Sequence, residues 1–208
     1  MRTAAIRAAL AVVAAFFAAT AALAQAPAPA PQTVRLRGVI EKVDGNTVTA
    51  KSDKGDAVKI NLADKMMVVG VVKATMADIK EGSYIGSGAM PQPDGSQKAI
   101  EVHIFAETMR GTGDGHRPWD GAPNSTMTNG TVGTTVTGVN GPVVTVKYKD
   151  GEKNIVVGPD VPIVRYEVMN TGALKPGVAF SVLAAAKQPD GSYNISRINV
   201  GRDGVVPR

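Results

Sequence analysis

The chain contains no cysteine among its 208 residues, and that absence removes several chemistries at once. No disulfide can staple the fold, no thiolate can act as a nucleophile, and no sulfur-rich zinc site can form. Attachment of lipid to an N-terminal cysteine is excluded as well. Stability has to come from packing alone.

Aromatic residues are nearly as scarce, with Trp 1, Tyr 4 and Phe 4. Binding of single-stranded nucleic acid relies on stacking rings set in a basic groove. Here Tyr84, Phe105, Trp119, Tyr148, Tyr166, Phe180 and Tyr193 are scattered, so no nucleic-acid partner is expected. Histidine occurs only at His103 and His116. Gly86-Ser87-Gly88 is too short for the G-x-S-x-G elbow of a serine hydrolase. Gly111, Gly113 and Gly115 alternate without fitting the G-x-G-x-x-G of dinucleotide binding. No catalytic constellation and no cofactor fingerprint emerges, and the chain is expected not to be an enzyme.

What is present begins with a positive start, Arg2 and Arg7, an apolar run over Ala8–Ala19, and the small-residue ending Ala22-Leu23-Ala24. That order describes a secretory signal peptide over residues 1–24, cut before Gln25. Its apolar run is short for a bilayer span of ~20 residues, and no later stretch is apolar enough for a span. Removing the leader takes two arginines, so Lys+Arg falls from 23 to 21 against 18 acids, a net of +3. The expected address is the periplasm or the exterior. Residues 25–33 alternate alanine with proline and form a stiff tether.

From Val34 the pattern is that of strands, with turn pairs such as Asp44-Gly45 and Lys54-Gly55 between them. The pentapeptide Gln92-Pro93-Asp94-Gly95-Ser96 returns as Gln188-Pro189-Asp190-Gly191-Ser192, 96 positions later. At the same shift Val43-Asp44-Gly45 meets Val139-Asn140-Gly141, and Val102 and Ile104 meet Ile198 and Val200. The matches fall at turns and inward apolar positions, where geometry and packing select residues most tightly. The expectation is an all-β fold of two tandem small Greek-key barrels of the OB type, five to six strands each. Their bounds are placed at residues 34–105 and 134–201, with a tail over residues 202–208. The connection between them, residues 106–133, has no apolar period and reads as a long, ordered, glycine-rich loop. A double sandwich or one continuous β structure is the other arrangement the pattern permits.

This connection carries the candidate ligand-binding residues Arg110, His116, Arg117, Trp119 and Asp120. Trp119 is read first as a structural clamp and second as a ligand platform, with His116 and Asp120 held beside it by hydrogen bonds. A metal site is the alternative. Glu101 and His103 share one face of a strand, Asp114 and His116 lie near in sequence, and two nitrogens with two oxygens form a plausible ligand set. Met109 and Met127 are candidates to add soft sulfur. Against the metal, the matching positions of the second half are Arg197 and Asn199.

"MRGTGDGHRPWD" followed by "STMTN", together with "VTVKYKDGEKNIVV" (residues 144–157), resembles an uncharacterised family of exported proteins of Gram-negative bacteria. The likeness covers nearly all of the chain beyond the leader. It implies a small repeated β domain and a periplasmic address, without an established activity. The function expected is therefore a non-catalytic periplasmic binding or envelope-interaction module. Its ligand is an envelope protein, a glycan or a small molecule. The alternative is a metal-binding accessory protein using Glu101, His103, Asp114 and His116.

Overall fold

Strand β3 runs unbroken for 18 residues, Ala57–Ala74, a length of about 60 Å, and it decides how the rest of the chain is arranged. A computed structural model describes residues 33–207. The expected leader, with Arg2, Arg7 and the cut at Ala24, lies outside the described residues, as does the tether up to Gln32. Before β3 come β1 (Thr33–Asp44) and β2 (Thr47–Ser52). After it come β4 (Tyr84–Pro91), β5 (Gln97–Ile104), β6 (Gly115–Trp119) and β7 (Ser125–Gly138). Then follow β8 (Gly141–Tyr148), β9 (Gly151–Val156), β10 (Ile163–Met169), β11 (Ala179–Lys187) and β12 (Tyr193–Gly201). Three short 3-10 turns, Met76–Asp78, Glu107–Met109 and Thr171–Ala173, are the only helical pieces described. No described helix is long and apolar enough to cross a membrane.

The fold is all-β, with a closed five-stranded barrel and further strands. The barrel runs β1-β2-β3-β12-β11 and returns to β1. The β3–β12 contact is parallel and the others are antiparallel. A second ring of pairings runs β5-β4-β7-β8-β9, and β9 meets β5 in parallel through Gln97↔Ile155 and Lys98↔Val156. Between the two rings β10 pairs antiparallel with β3 and in parallel with β5.

The expected division into one barrel per half of the chain is not what is found. The β4–β5 hairpin pairs with β7 and β9, and the β11–β12 hairpin pairs with β1 and β3. Each ring thus takes three strands from one half and a hairpin from the other. The reason lies in β3. Its length carries the chain out of the barrel before the turn at Met76–Asp78, so the hairpin that follows finds its partners in the other ring. In that turn the Asp78 carboxylate accepts hydrogen bonds from the Thr75 amide and hydroxyl, at 2.8 and 2.9 Å.

The cores follow the rings. One cluster joins Ile40, Val48 and Ile60 to Phe180, Ile198 and Val200. A second joins Ile85, Val102 and Ile104 to Val144, Val146 and Ile155. A third and smaller one, Val69, Val71, Met109 and Tyr166 with Phe105, Val164 and Val205 against it, covers the bridge.

Half of the glycine-rich loop expected over residues 106–133 is strand, at residues 115–119 and 125–133. Residues 125–132 are threonine-rich and mostly buried, with β4 on one side and β6, then β8 from Thr131, on the other. Threonine is β-branched and suits strands. Two of the polar side chains there bond internally: Thr126 Oγ1 donates to Gln97 Oε1 at 2.8 Å, and Asn129 Nδ2 donates to the Thr112 carbonyl at 2.9 Å, while Asn129 Oδ1 is buried without a partner among the described residues. The strand is buried yet polar, so it showed no apolar period.

Both QPDGS segments form one and the same turn. The Gln92 and Gln188 amides donate to the Ser96 and Ser192 carbonyls at 2.9 and 2.8 Å, while Gly95 and Gly191 sit at φ 83° and 84°. In each, the aspartate Oδ1 accepts from the serine amide at 2.9 Å and from its hydroxyl.

Candidate functional site

The bridge β5-β10-β3 lays three residues side by side, because directly paired residues point to the same face of a sheet. His103 pairs with Val164, and Val164 pairs with Lys73. One step along β10, Tyr166 is paired with Val71. The last residues of the chain fold over this face. The Arg202 amide donates to the Val71 carbonyl at 3.0 Å, and the Val205 amide to the Arg202 carbonyl at 2.9 Å. Between strap and bridge lies a cavity of about 430 Å³, lined by Glu101, His103, Tyr166, Asn199 and Lys73, with Val71, Ile163, Val164, Val205 and Pro207 among its apolar walls.

The polar floor is built, not incidental. Glu101 is 5 % exposed and Asn199 3 %. His103 Nε2 lies 2.9 Å from Glu101 Oε1. The imidazole stacks on Tyr166 with ring centroids 5.1 Å apart and planes 27° from parallel, and Phe105 meets Tyr166 edge-on at 5.3 Å. On the barrel side the Arg197 guanidinium stands 5.9 Å from the Tyr166 ring centre, and its Nε donates to Asn199 Oδ1 at 3.3 Å. Burial holds the Tyr166 hydroxyl well above its ordinary value, with the Glu101 charge adding to it, and draws the Arg197 guanidinium down. A buried ion needs partners to offset its lost hydration, and these residues supply them to one another.

Glu101 and His103 stand 96 positions before Arg197 and Asn199. In the sequence that contrast counts against a site, since the two halves differ there. In the fold the hairpin exchange brings β5 and β12 to the two sides of the same bridge. The two pairs thereby become complementary parts of one floor. Tyr166 and Lys73 carry no site signal in the sequence, because each sits in an ordinary strand and only the pairing across β10 sets them beside His103.

The residues singled out in the former loop lie elsewhere and are mostly engaged in structure. Arg110 donates to both carboxylate oxygens of Glu107 and to the Gly82 carbonyl at 2.9 Å, and it covers the Tyr84 ring at 5.8 Å. His116 Nδ1 bonds Thr128 Oγ1 at 2.8 Å and its ring lies 6.4 Å from Tyr148; burial, with help from Lys153, lowers its pKa. Arg117 donates to the Gly113 carbonyl at 2.7 Å. Asp114 accepts from the Lys149 amide at 2.9 Å and from the Tyr84 hydroxyl at 3.3 Å. Asp120 does not bond beside Trp119; it pairs with Arg35 at the start of the barrel. The Trp119 indole lies half-buried over Gly88 and Gly121, where a Cβ would come within 2.4 and 2.1 Å of its ring.

The four proposed metal ligands are not assembled. Glu101 and His103 face the cavity, Asp114 and His116 hold the β6 region, and among the described residues no three His, Asp or Glu side chains form a metal-ligand group. Met109 and Met127 are buried, Met109 in the third core cluster. No family model, curated protein or solved structure matches the chain.

Proposed function

We propose that this protein is a non-catalytic binding module of the bacterial envelope, and that it takes a small molecule in the cavity over the β5-β10-β3 bridge. The observation that carries this reading is the composition of the cavity. Apolar walls enclose a few convergent polar groups, the buried Glu101, Tyr166 and Asn199 and the half-buried His103. That combination is the usual make-up of a small-ligand site, and about 430 Å³ lies within the usual range of such sites. No serine or threonine lines the cavity as a nucleophile for His103 to activate, which favours binding over acyl transfer.

The periplasmic address belongs to the same proposal. It rests on Arg2, Arg7, the apolar run after them and the ending at Ala24. Duplication of one β unit is the third part. It is supported by the way bounds map on adding 96: Thr47–Ser52 goes to residues 143–148 within β8, and Gln97–Ile104 goes to residues 193–200 within β12. The barrel order, three strands followed by a hairpin whose last strand runs parallel to the third, is that of an OB-type Greek key. We therefore read the protein as two OB-type units that have exchanged their last hairpins.

The test is native mass spectrometry of the untagged protein taken from the envelope fraction. The mature chain is expected to begin at Gln25 and to carry a small-molecule adduct. A Val164→Trp variant, which fills the cavity between His103 and Lys73, should lack the adduct. An adduct that persists in the variant places the ligand elsewhere, and its absence from the wild type in every preparation counts against the reading.

A further inference from the structure

The row His103–Val164–Lys73 has a polarity that narrows the ligand. His103 and Lys73 are two strand spacings apart, about 10 Å, with the Val164 side chain between them. At one end the Glu101 carboxyl is buried beside His103, and Arg197 stands against the Tyr166 ring that His103 also touches. At the other end Lys73 is an exposed cation on the rim. Among the described residues that line the cavity Lys73 is the one lysine or arginine, so a single anionic group finds its partner there. A buried carboxylate on the floor repels a second one, so the anion belongs at Lys73.

The floor asks for something different. Nε2 is held 2.9 Å from Glu101 Oε1, and the tautomer that suits this contact carries its hydrogen on Nε2 and donates it to the carboxylate. The partner of one ring nitrogen fixes the role of the other. Nδ1 is left as an acceptor, and it suits a hydroxyl donor.

From this row we infer that the cavity takes a hydroxylated monocarboxylic acid with an apolar body. Its carboxylate pairs with Lys73, its body lies over Val164, and its hydroxyl donates to His103. The inference rests on the small-ligand reading above. A rigid body binds with less loss of conformational freedom than a flexible chain, so 4-hydroxycinnamate is the probe of choice.

Calorimetry on the full mature chain compares 4-hydroxycinnamate with its methyl ester, which lacks the charge, and with cinnamate, which lacks the hydroxyl. Each loss is expected to weaken binding about tenfold. Lys73→Met should weaken the acid about tenfold and leave the ester unchanged. His103→Phe keeps a ring against Tyr166; it should weaken 4-hydroxycinnamate about tenfold and leave cinnamate unchanged. Lys73 lies on the rim, so its variant should fold whatever His103→Phe does. An ester that binds as tightly as the acid, a Lys73→Met variant that binds normally, or no binding of the acid at all would each overturn the inference. Where an endogenous adduct lost in Val164→Trp is seen but no hydroxy acid displaces it, the ligand class is wrong and the cavity stands. Where no such adduct exists and no probe binds, the cavity reading fails too.

Discussion

His103 and Tyr166 lie against one another with ring centroids 5.1 Å apart, although one belongs to a hairpin of the first half of the chain and the other to the strand that bridges the rings. Tyr166 is the hub of that bridge. It also meets Phe105 edge-on and the Arg197 guanidinium from above. Replacing it with alanine removes a buried ring where the two rings join. Tyr166→Ala is expected to cost about 3–5 kcal/mol, read as a lowered midpoint in chemical denaturation. Tyr166→Phe keeps the stack and should cost far less. Equal losses for the two would mean that the hydroxyl, not the ring, holds the bridge.

The exchange of hairpins makes a prediction that a pair of tandem barrels does not. A protease site placed in the exposed turn at Pro123–Asn124 separates β1–β6 from β7–β12. Each ring needs strands from both fragments, so the cleaved protein should remain one particle in gel filtration and part only on denaturation. Two fragments that separate and stay folded would show that the rings do not share strands.

The two QPDGS turns should respond alike. Gly95 and Gly191 both occupy the left-handed region, where any other residue is penalised by about 1–2 kcal/mol. Nothing stands within 4 Å of the place where a Cβ would be added at either one. Gly95→Ala and Gly191→Ala are therefore expected to destabilise by about 1 kcal/mol each, through backbone strain alone. Thermal melts of the two variants would reveal a difference if only one turn has this geometry.

These turns were the most legible part of the sequence, because a five-residue loop writes its geometry into its residues: Asp for the serine amide, Gly for the positive φ. The all-β class was legible for a similar reason, since alternation along β2 or β5 is a local signal. The partnering of strands was not. Nothing in Ser83–Pro91 says whether the hairpin it opens will close on β1 or on β7; that depends on how far β3 has already carried the chain. In the second half the corresponding run is broken between β9 and β10 by Pro159 and Pro162, neither of which offers an amide hydrogen to a ladder. The candidate site was half legible for the same cause. Glu101 and His103 were visible on one face of a strand, while Tyr166, Asn199 and Lys73 join them only through pairing across the bridge.

Alkali should loosen the second ring through Tyr84. Its side chain is buried, and burial with the nearby Asp114 charge pushes the hydroxyl from 10.0 up to about 12. The folded state keeps this proton longer than the unfolded chain does. The stability it contributes is thus fully present below pH 10 and is lost as pH rises through about 12. Wild-type protein is expected to lose stability across that window more steeply than Tyr84→Phe, and the variant should lack one late step in the phenolate absorbance titration. A phenolate that appears in step with free tyrosine would show that Tyr84 is open to water.

The indole of Trp119 offers the last test, and a convenient one, since it is the only tryptophan in the chain. Its ring covers Gly88 of β4, and a Cβ there would stand 2.4 Å from Trp119 Cζ3. No real contact is that close, so Gly88→Ala must push the ring away. Gly88 is buried in the middle of β4, paired with Glu101 on one side and Met127 on the other; the backbone has little freedom to yield instead. The displaced indole meets water, and its emission should move to the red while the strand pairing persists in circular dichroism. Trp119→Ala is expected to cost about 2 kcal/mol, below the value for a fully buried tryptophan because the ring is only half covered. Combined with Gly88→Ala, it should cost less than the two separately, since the methyl then fills the space that the ring has left. Additive costs would mean that the indole does not rest on Gly88.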